Sequence, residues 1–246
     1  MPFTFSHPAI VLPFCKIKKI PLSITGLVMG SMVPDFEFLL RLKETNVFAH
    51  RFPGILTFSV PFGILLSFIF HHIFRNTIII HLPRYFRLKF TVFLSFNWTG
   101  YFKKHYGLFL ISLCIGIASH LFLDAFTHED GIFVLMNVAF YQTLTVFNQP
   151  LPVYVVLQLA SSVVGALYVL WFVSNMKNGK DIQPVKKTGP FWLTMIMVFA
   201  LFFTLRVWID TAHQTADDLI VAWFGSGVYA FMITCTYFHY ATKHNY

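Results

Sequence analysis

The sequence predicts an all-α membrane protein, a polytopic helix bundle of about five full spans plus an N-terminal helical hairpin. Three observations carry this. Of 246 residues, 57% are hydrophobic and 11% are charged, whereas a soluble domain usually carries about 25% charged residues. Several apolar runs reach about 20 residues, the length needed to cross a hydrocarbon core roughly 30 Å thick. Lys and Arg collect in alternate connections, as orientation in a bilayer requires. Residues 1–246 are expected to form a single integral membrane domain, with the chemistry-bearing residues in 1–131 and further helices in 132–246.

At the N-terminus, Pro8, Pro13 and Pro21 interrupt the apolar run and Lys16, Lys18 and Lys19 sit at its middle. Two short helices, roughly 5–18 and 22–34, folded back at the lysines, satisfy this pattern. Arms of comparable length bring their far ends, which carry His7 and Asp35, to similar depth. A single span over 22–40 is the alternative, and it leaves His7 on the opposite side. The opening MPFTFSHPAIVLPFCKIKK lacks the charged n-region and small-residue cleavage site of a signal peptide, so it is expected to be retained.

The five spans are expected at about 54–74, 107–127, 152–174, 190–209 and 219–238. Residues 75–106 hold Arg75, Arg84, Arg87, Lys89, Lys103 and Lys104 with no acid, and 175–189 hold Lys177, Lys180, Lys186 and Lys187 against Asp181 alone. Both connections are expected in the cytoplasm. Segments 128–151 and 210–218 hold Glu129, Asp130, Asp210, Asp217 and Asp218 without Lys or Arg, so they are expected outside. The net charge of +8 resides in these loops and in the N-terminal lysines, and nucleic acid is not an expected partner; the lipid bilayer is. Cys15, Cys114 and Cys235 are isolated, which argues against a disulfide framework or a thiolate metal site.

The stretch with the most chemistry is Gly116–Gly131, GIASHLFLDAFTHEDG. It places His120, Asp124 and His128 four residues apart, one stripe of a helix. Ionisable groups at membrane depth cost roughly 2.5 to 3.5 kcal/mol each on insertion scales and are usually retained for a function. A bound cation offsets that cost; a His–Asp hydrogen bond tying two helices together is the plainer explanation. His7, Asp35 in GSMVPD and His50 in FAHRF are expected to reach the same leaflet as the stripe. A nitrogen and oxygen donor set of this kind suits a divalent metal, zinc first, with manganese or iron as alternatives.

The segments MPFTFSHPAIVLP, GSMVPDFE and SHLFLDAFTHEDG, with His50 between them, resemble a family of bacterial integral membrane proteins described by a domain of unknown function, DUF4184. The order of these motifs is also similar to predicted membrane-bound metal-dependent hydrolases and, more distantly, to zinc-dependent phospholipase C and single-strand nucleases. The resemblance implies a helical, multi-metal, phosphoesterase-like site in a bacterial cytoplasmic (inner) membrane. By position His7, Asp35, His50, His120 and Asp124 are then metal ligands and His128 an additional one.

The resulting expectation is a membrane-bound metal-dependent hydrolase, its site toward the extracytoplasmic face, acting on phosphoester or lipid-type substrates with metal-activated water. Glu129 and Asp130 are the candidate catalytic acid–base groups, and Asp35 or Asp124 can serve if not used as a ligand. Asp210, His213 and Asp217 form a secondary candidate site, against which stands a solvated loop opening the last helix. Arg206, four residues before Asp210, reads as its ion-pair partner. A proton- or metal-coupled transporter or channel using the same stripe is the alternative function, and a scaffold bridged by polar residues the third.

Overall fold

The computed structural model describes residues 3–16, 21–43, 48–182, 188–210 and 215–243. It is helical almost throughout. A short apolar helix, Thr4–Cys15 (α1), is followed by Ile24–Met32 (α2), a tight turn at Val33–Asp35 and Phe36–Arg41 (α3). Then come Phe52–His81 (α4), Arg84–Phe90 (α5), Trp98–Thr127 (α6) and Ile132–Met136 (α7). Strands Thr143–Val146 (β1) and Gln149–Pro152 (β2) pair antiparallel before Val153–Ser174 (α8), Thr188–Ile209 (α9) and Ala216–Lys243 (α10).

Five helical runs are long and apolar enough to cross a membrane: Phe52–His81, Trp98–Met136, Val153–Ser174, Thr188–Ile209 and Ala216–Ala241. Each overlaps one of the five expected from the sequence, and two run well past the expected bounds, Phe52–His81 against 54–74 and Trp98–Met136 against 107–127. Of the N-terminal hairpin, the first arm is regular α-helix only over Pro8–Val11 and tightens at Leu12–Lys16, where Pro13 withholds its N–H from the helical ladder. The arms α1 and α2 pack on one another. Lys18 and Lys19, the expected fold-back, lie outside the described residues.

Two of the irregular places fall beside a proline or a glycine. In α4, Pro61 offers no N–H to the carbonyl of Thr57, and the helix widens to π geometry over Ile55–Ser59. In α6, His105 departs from helical geometry (φ −132°, ψ 27°) two residues before Gly107.

The chain divides into two compact units. The first comprises Met1–Asp35, Ala49–Gly63 and His105–Asn175. In it α8 holds the N-terminal segment: Phe3 N–H donates to Ser162 Oγ (2.8 Å), and Gly165 leaves room for Ser6, whose Cβ would stand 2.8 Å from a methyl at that position.

The second unit comprises Phe36–Phe48, Ile64–Lys104 and Met176–Tyr246. Phe74, Phe191, Cys235 and Phe238 form its apolar centre. Tyr229 donates to the Leu40 carbonyl and Arg206 to the Leu42 carbonyl, both at 2.7 Å. His71 and His81, close to the basic connection, are buried. His71 stacks on Trp98 at 4.4 Å and His81 on Phe191 at 4.1 Å, because the surrounding aromatic side chains provide flat apolar faces that an imidazole can share.

Candidate metal centre

The site grows out of a seam between α2 and α6. The two run in the same direction with a constant offset. Ser23 N–H donates to Ser112 Oγ (2.8 Å), and eight residues on in each helix the Ser31 carbonyl accepts from His120 Nδ1 (2.9 Å). Between these contacts the backbones nearly touch. A methyl on Gly26 would stand 2.6 Å from the Phe109 carbonyl oxygen, and one on Gly30 or Gly116 would meet the Leu113 or Leu27 carbonyl. Small residues four apart are how membrane helices approach this closely. The stripe that continues as His120, Asp124 and His128 therefore begins as Ser112 and Gly116.

At the end of the seam the polar side chains converge. Asp35 sits in the turn closing α2 and is 2% exposed, and His120 is fully buried. His120 Nε2 lies 3.2 Å from Asp35 Oδ1 and 3.0 Å from Asp124 Oδ2. His50, in the turn Phe48–His50 ahead of α4, brings its Nε2 to 3.1 Å from His120 Nε2, 3.3 Å from Asp124 Oδ2 and 3.5 Å from Asp35 Oδ1. Ser59 donates to the Ala49 carbonyl (3.2 Å) and ties that turn to α4. One ligand atom from each of Asp35, His50, His120 and Asp124 falls within 4.8 Å of all the others.

The other oxygen of Asp124 faces a different pair. Its Oδ1 is 3.6 Å from Nε2 of His7 and 3.4 Å from Nδ1 of His128. His7 is 1% exposed and its ring stacks on His120 at 4.1 Å. Both ring nitrogens of His7 and the Oδ1 of Asp124 are buried with no hydrogen-bond partner among the described residues. Orphaned buried polar atoms are costly. His50 and His128 are the partly open members, with side chains 22% and 30% exposed.

The hydrogen bonds around the cluster decide what its centre needs. A carbonyl can only accept, so Ser31 fixes the proton of His120 on Nδ1, and the neutral ring then points the Nε2 lone pair at two carboxylates and a second imidazole. Acceptors arranged in this way require a positive charge between them, a proton or a metal ion. Thr4 donates to Asp35 Oδ2 (2.6 Å), leaving Oδ1 toward the centre. Asp35 and His50 lie outside the five spans. Burial alone would raise the Asp35 carboxyl, but the His120, His50 and His7 imidazoles hold it well below the usual carboxylate range. Burial alone would lower His50, and its bonds to Asp124 and Asp35 instead raise it above the usual imidazole value.

The six residues expected as ligands thus lie together, Asp35, His50, His120 and Asp124 around one point and His7 and His128 beside Asp124 Oδ1. Glu129 and Asp130 occupy the exposed turn directly after His128. Asp210, in the second unit, is held by Arg206 and Lys43, each at 3.4 Å. His213 lies outside the described residues, and Asp217 is exposed in the first turn of α10. Thr4, the Ser31 carbonyl and the glycine seam were not singled out from the sequence. The Gly26-x-x-x-Gly30 spacing, and the four-residue steps Ser112, Gly116, His120, were the available signals.

Over residues 1–237 the chain matches the family described as Domain of unknown function (DUF4184). It therefore belongs to that family. No curated protein and no solved structure matches it.

Proposed function

We propose that this member of the DUF4184 family is a membrane-bound metal-dependent hydrolase, with zinc, or else manganese or iron, held by Asp35, His50, His120 and Asp124. The observation that carries the reading is the convergence of those four ligand atoms within 4.8 Å, a mixed nitrogen and oxygen set of the kind these metals use. His7 and His128, which face the second oxygen of Asp124, would extend the ligand set.

A divalent cation held there supplies Lewis acidity and lowers the pKa of water to about 7. The chain's own groups do the rest. Ser31 and Thr4 orient His120 and Asp35, as outer partners of metal ligands do. The open edge at His50 and His128 admits substrate, and the buried seam behind them excludes water. Glu129 and Asp130, outside the ligand set and in the turn following His128, are assigned to proton transfer. Phosphoesters of the lipid type, approached from the extracytoplasmic side of a bacterial inner membrane, are the proposed substrates.

Elemental analysis of the detergent-purified full-length protein, with a panel of phosphodiester and phospholipid substrates, tests this. Bound transition metal that is lost in His120→Ala and Asp124→Ala, together with metal-dependent ester cleavage, supports it. A metal-free wild type overturns it, and so does cation uptake into vesicles without hydrolysis, which identifies transport.

A further inference from the structure

Beyond the metal ligands, the first unit carries a surface whose chemistry differs from that of an ordinary loop. Residues 131–152 connect α6 to α8 and contain no Asp, Glu, Lys or Arg. At average composition about one residue in four would be charged. Ile132, Leu135, Met136, Val138, Leu144 and Phe147 point outward, with Met136, Val138 and Phe147 77%, 80% and 98% exposed. The segment is nonetheless ordered against the end of α6. Val134 is fully buried, Phe133 stacks on Phe126 at 4.2 Å, and Tyr141 Oη donates to the Glu129 carbonyl (3.1 Å).

The hairpin tip is the most telling part. Phe147 and Asn148 have φ of 50° and 62°, the two positive values of a type I′ turn. Asn tolerates that conformation, but a bulky aromatic at the first central position is an outlier that asparagine or glycine would avoid. The turn thus holds a phenyl ring at the extreme tip of an uncharged hairpin, against conformational preference and uncovered by any of the described residues. The segment takes in the last turn of the run Trp98–Met136 and leads into Val153–Ser174, both long and apolar enough to cross a membrane, so its apolar face continues from theirs.

We propose that residues 132–152 form an interfacial element seated in the headgroup and upper acyl region of one leaflet, with Phe147 as its anchor, and that it selects ester substrates residing in that leaflet. The occupant of the apolar face is bilayer lipid. Uncharged segments with protruding aromatic side chains partition to that depth. The substrate half rests on the hydrolase reading above. The element packs on the last turns of the helix bearing Asp124 and His128, next to the open edge of the cluster.

The test uses full-length protein in phosphatidylcholine vesicles. For Phe147→Trp, the emission added over wild type should be blue-shifted, quenched by brominated phosphatidylcholine and protected from acrylamide. Added emission typical of water, quenched by acrylamide and not by bromolipid, overturns the interfacial placement. Phe147→Asp should then reduce turnover of a long-chain phospholipid about tenfold or more, with metal content and cleavage of a short-chain water-soluble phosphodiester unchanged. Equal loss on both substrates, or none on either, overturns the substrate selection. If wild type cleaves no ester, the hydrolase reading and the substrate selection resting on it fail together, while the quenching result still decides the surface.

Discussion

Two groups of histidines, one in each unit, face opposite chemistries. In the first unit His7, His50, His120 and His128 surround two carboxylates, with ring nitrogens directed at oxygens between 3.0 and 3.6 Å away. In the second unit His71 and His81 lie flat on Trp98 and Phe191, and His81 Nδ1 contacts the Thr77 carbonyl of its own helix (2.7 Å). Burial of an imidazole in an apolar helix therefore does not identify a ligand. What sets the first group apart is a set of acceptors converging on a common point, where a proton or a metal ion would neutralise them.

The sharpest way to break that contrast is to remove a ligand from the first set. His120→Ala or Asp124→Ala should lower metal affinity by more than about 100-fold, because losing even an outer partner of a metal ligand costs about 10- to 100-fold. Elemental analysis after dialysis reads the outcome. Retention of metal at wild-type stoichiometry would place the ion elsewhere.

Next in size is a change that touches no ligand. In Gly30→Leu the new side chain meets the Leu113 carbonyl, against backbone that cannot move aside. Overpacking of this kind costs about 1 to 3 kcal/mol or more, and it should pry α2 from α6, separating Asp35 from His120. Thermal unfolding in detergent should show the lower stability, and metal should be lost with all six ligands still present. Stability that falls while metal stays bound would show that the seam does not set the site.

How much of this was legible beforehand follows from the range of each interaction. The stripe His120, Asp124, His128 is a local period of four, and the five spans are runs of apolar residues, so both can be seen in one dimension. Convergence of His7, Asp35 and His50 with that stripe followed only from chain topology and charge placement. Thr4 could not be found this way, because its role is a single hydrogen bond to a residue 31 positions later. The stacking of His81 on Phe191 joins helices 110 residues apart, and residues near a basic connection look solvated until the partner is known. The hairpin at 143–152 carries no such local signal, because its turn residues, Phe147 and Asn148, are not the usual Asn-Gly pair.

Thr4→Val sharpens the comparison at the level of orientation. It removes the donor to Asp35 Oδ2 while keeping the volume of the side chain, so Asp35 keeps its place but loses the bond that fixes which oxygen faces inward. Metal affinity should fall about tenfold, measured by calorimetric titration of the stripped protein, with little change in unfolding temperature. A smaller and related effect is expected from acid. In the metal-free protein His50 binds its proton more tightly than a free imidazole, so protons compete with metal for Nε2. Apparent affinity should therefore rise as the pH is raised through and above the ordinary imidazole range. An affinity independent of pH there would remove His50 from the ligand set.

The smallest effect belongs to the second set. His81→Phe replaces a buried ring, whose Nε2 has no hydrogen-bond partner, by one of similar shape and no polar atoms. The stack on Phe191 survives the change, the bond to the Thr77 carbonyl is lost, and an orphaned nitrogen disappears with it. Replacing a partly satisfied buried polar group by an apolar isostere is close to neutral, so stability should shift by no more than about 1 kcal/mol in either direction. Metal content should equal wild type. A variant that unfolds would mean that the imidazole has a polar task that the aromatic cage conceals. Loss of metal would mean that a histidine without a carboxylate beside it contributes to the centre, and the distinction between the two sets would have to be drawn on other grounds than converging acceptors.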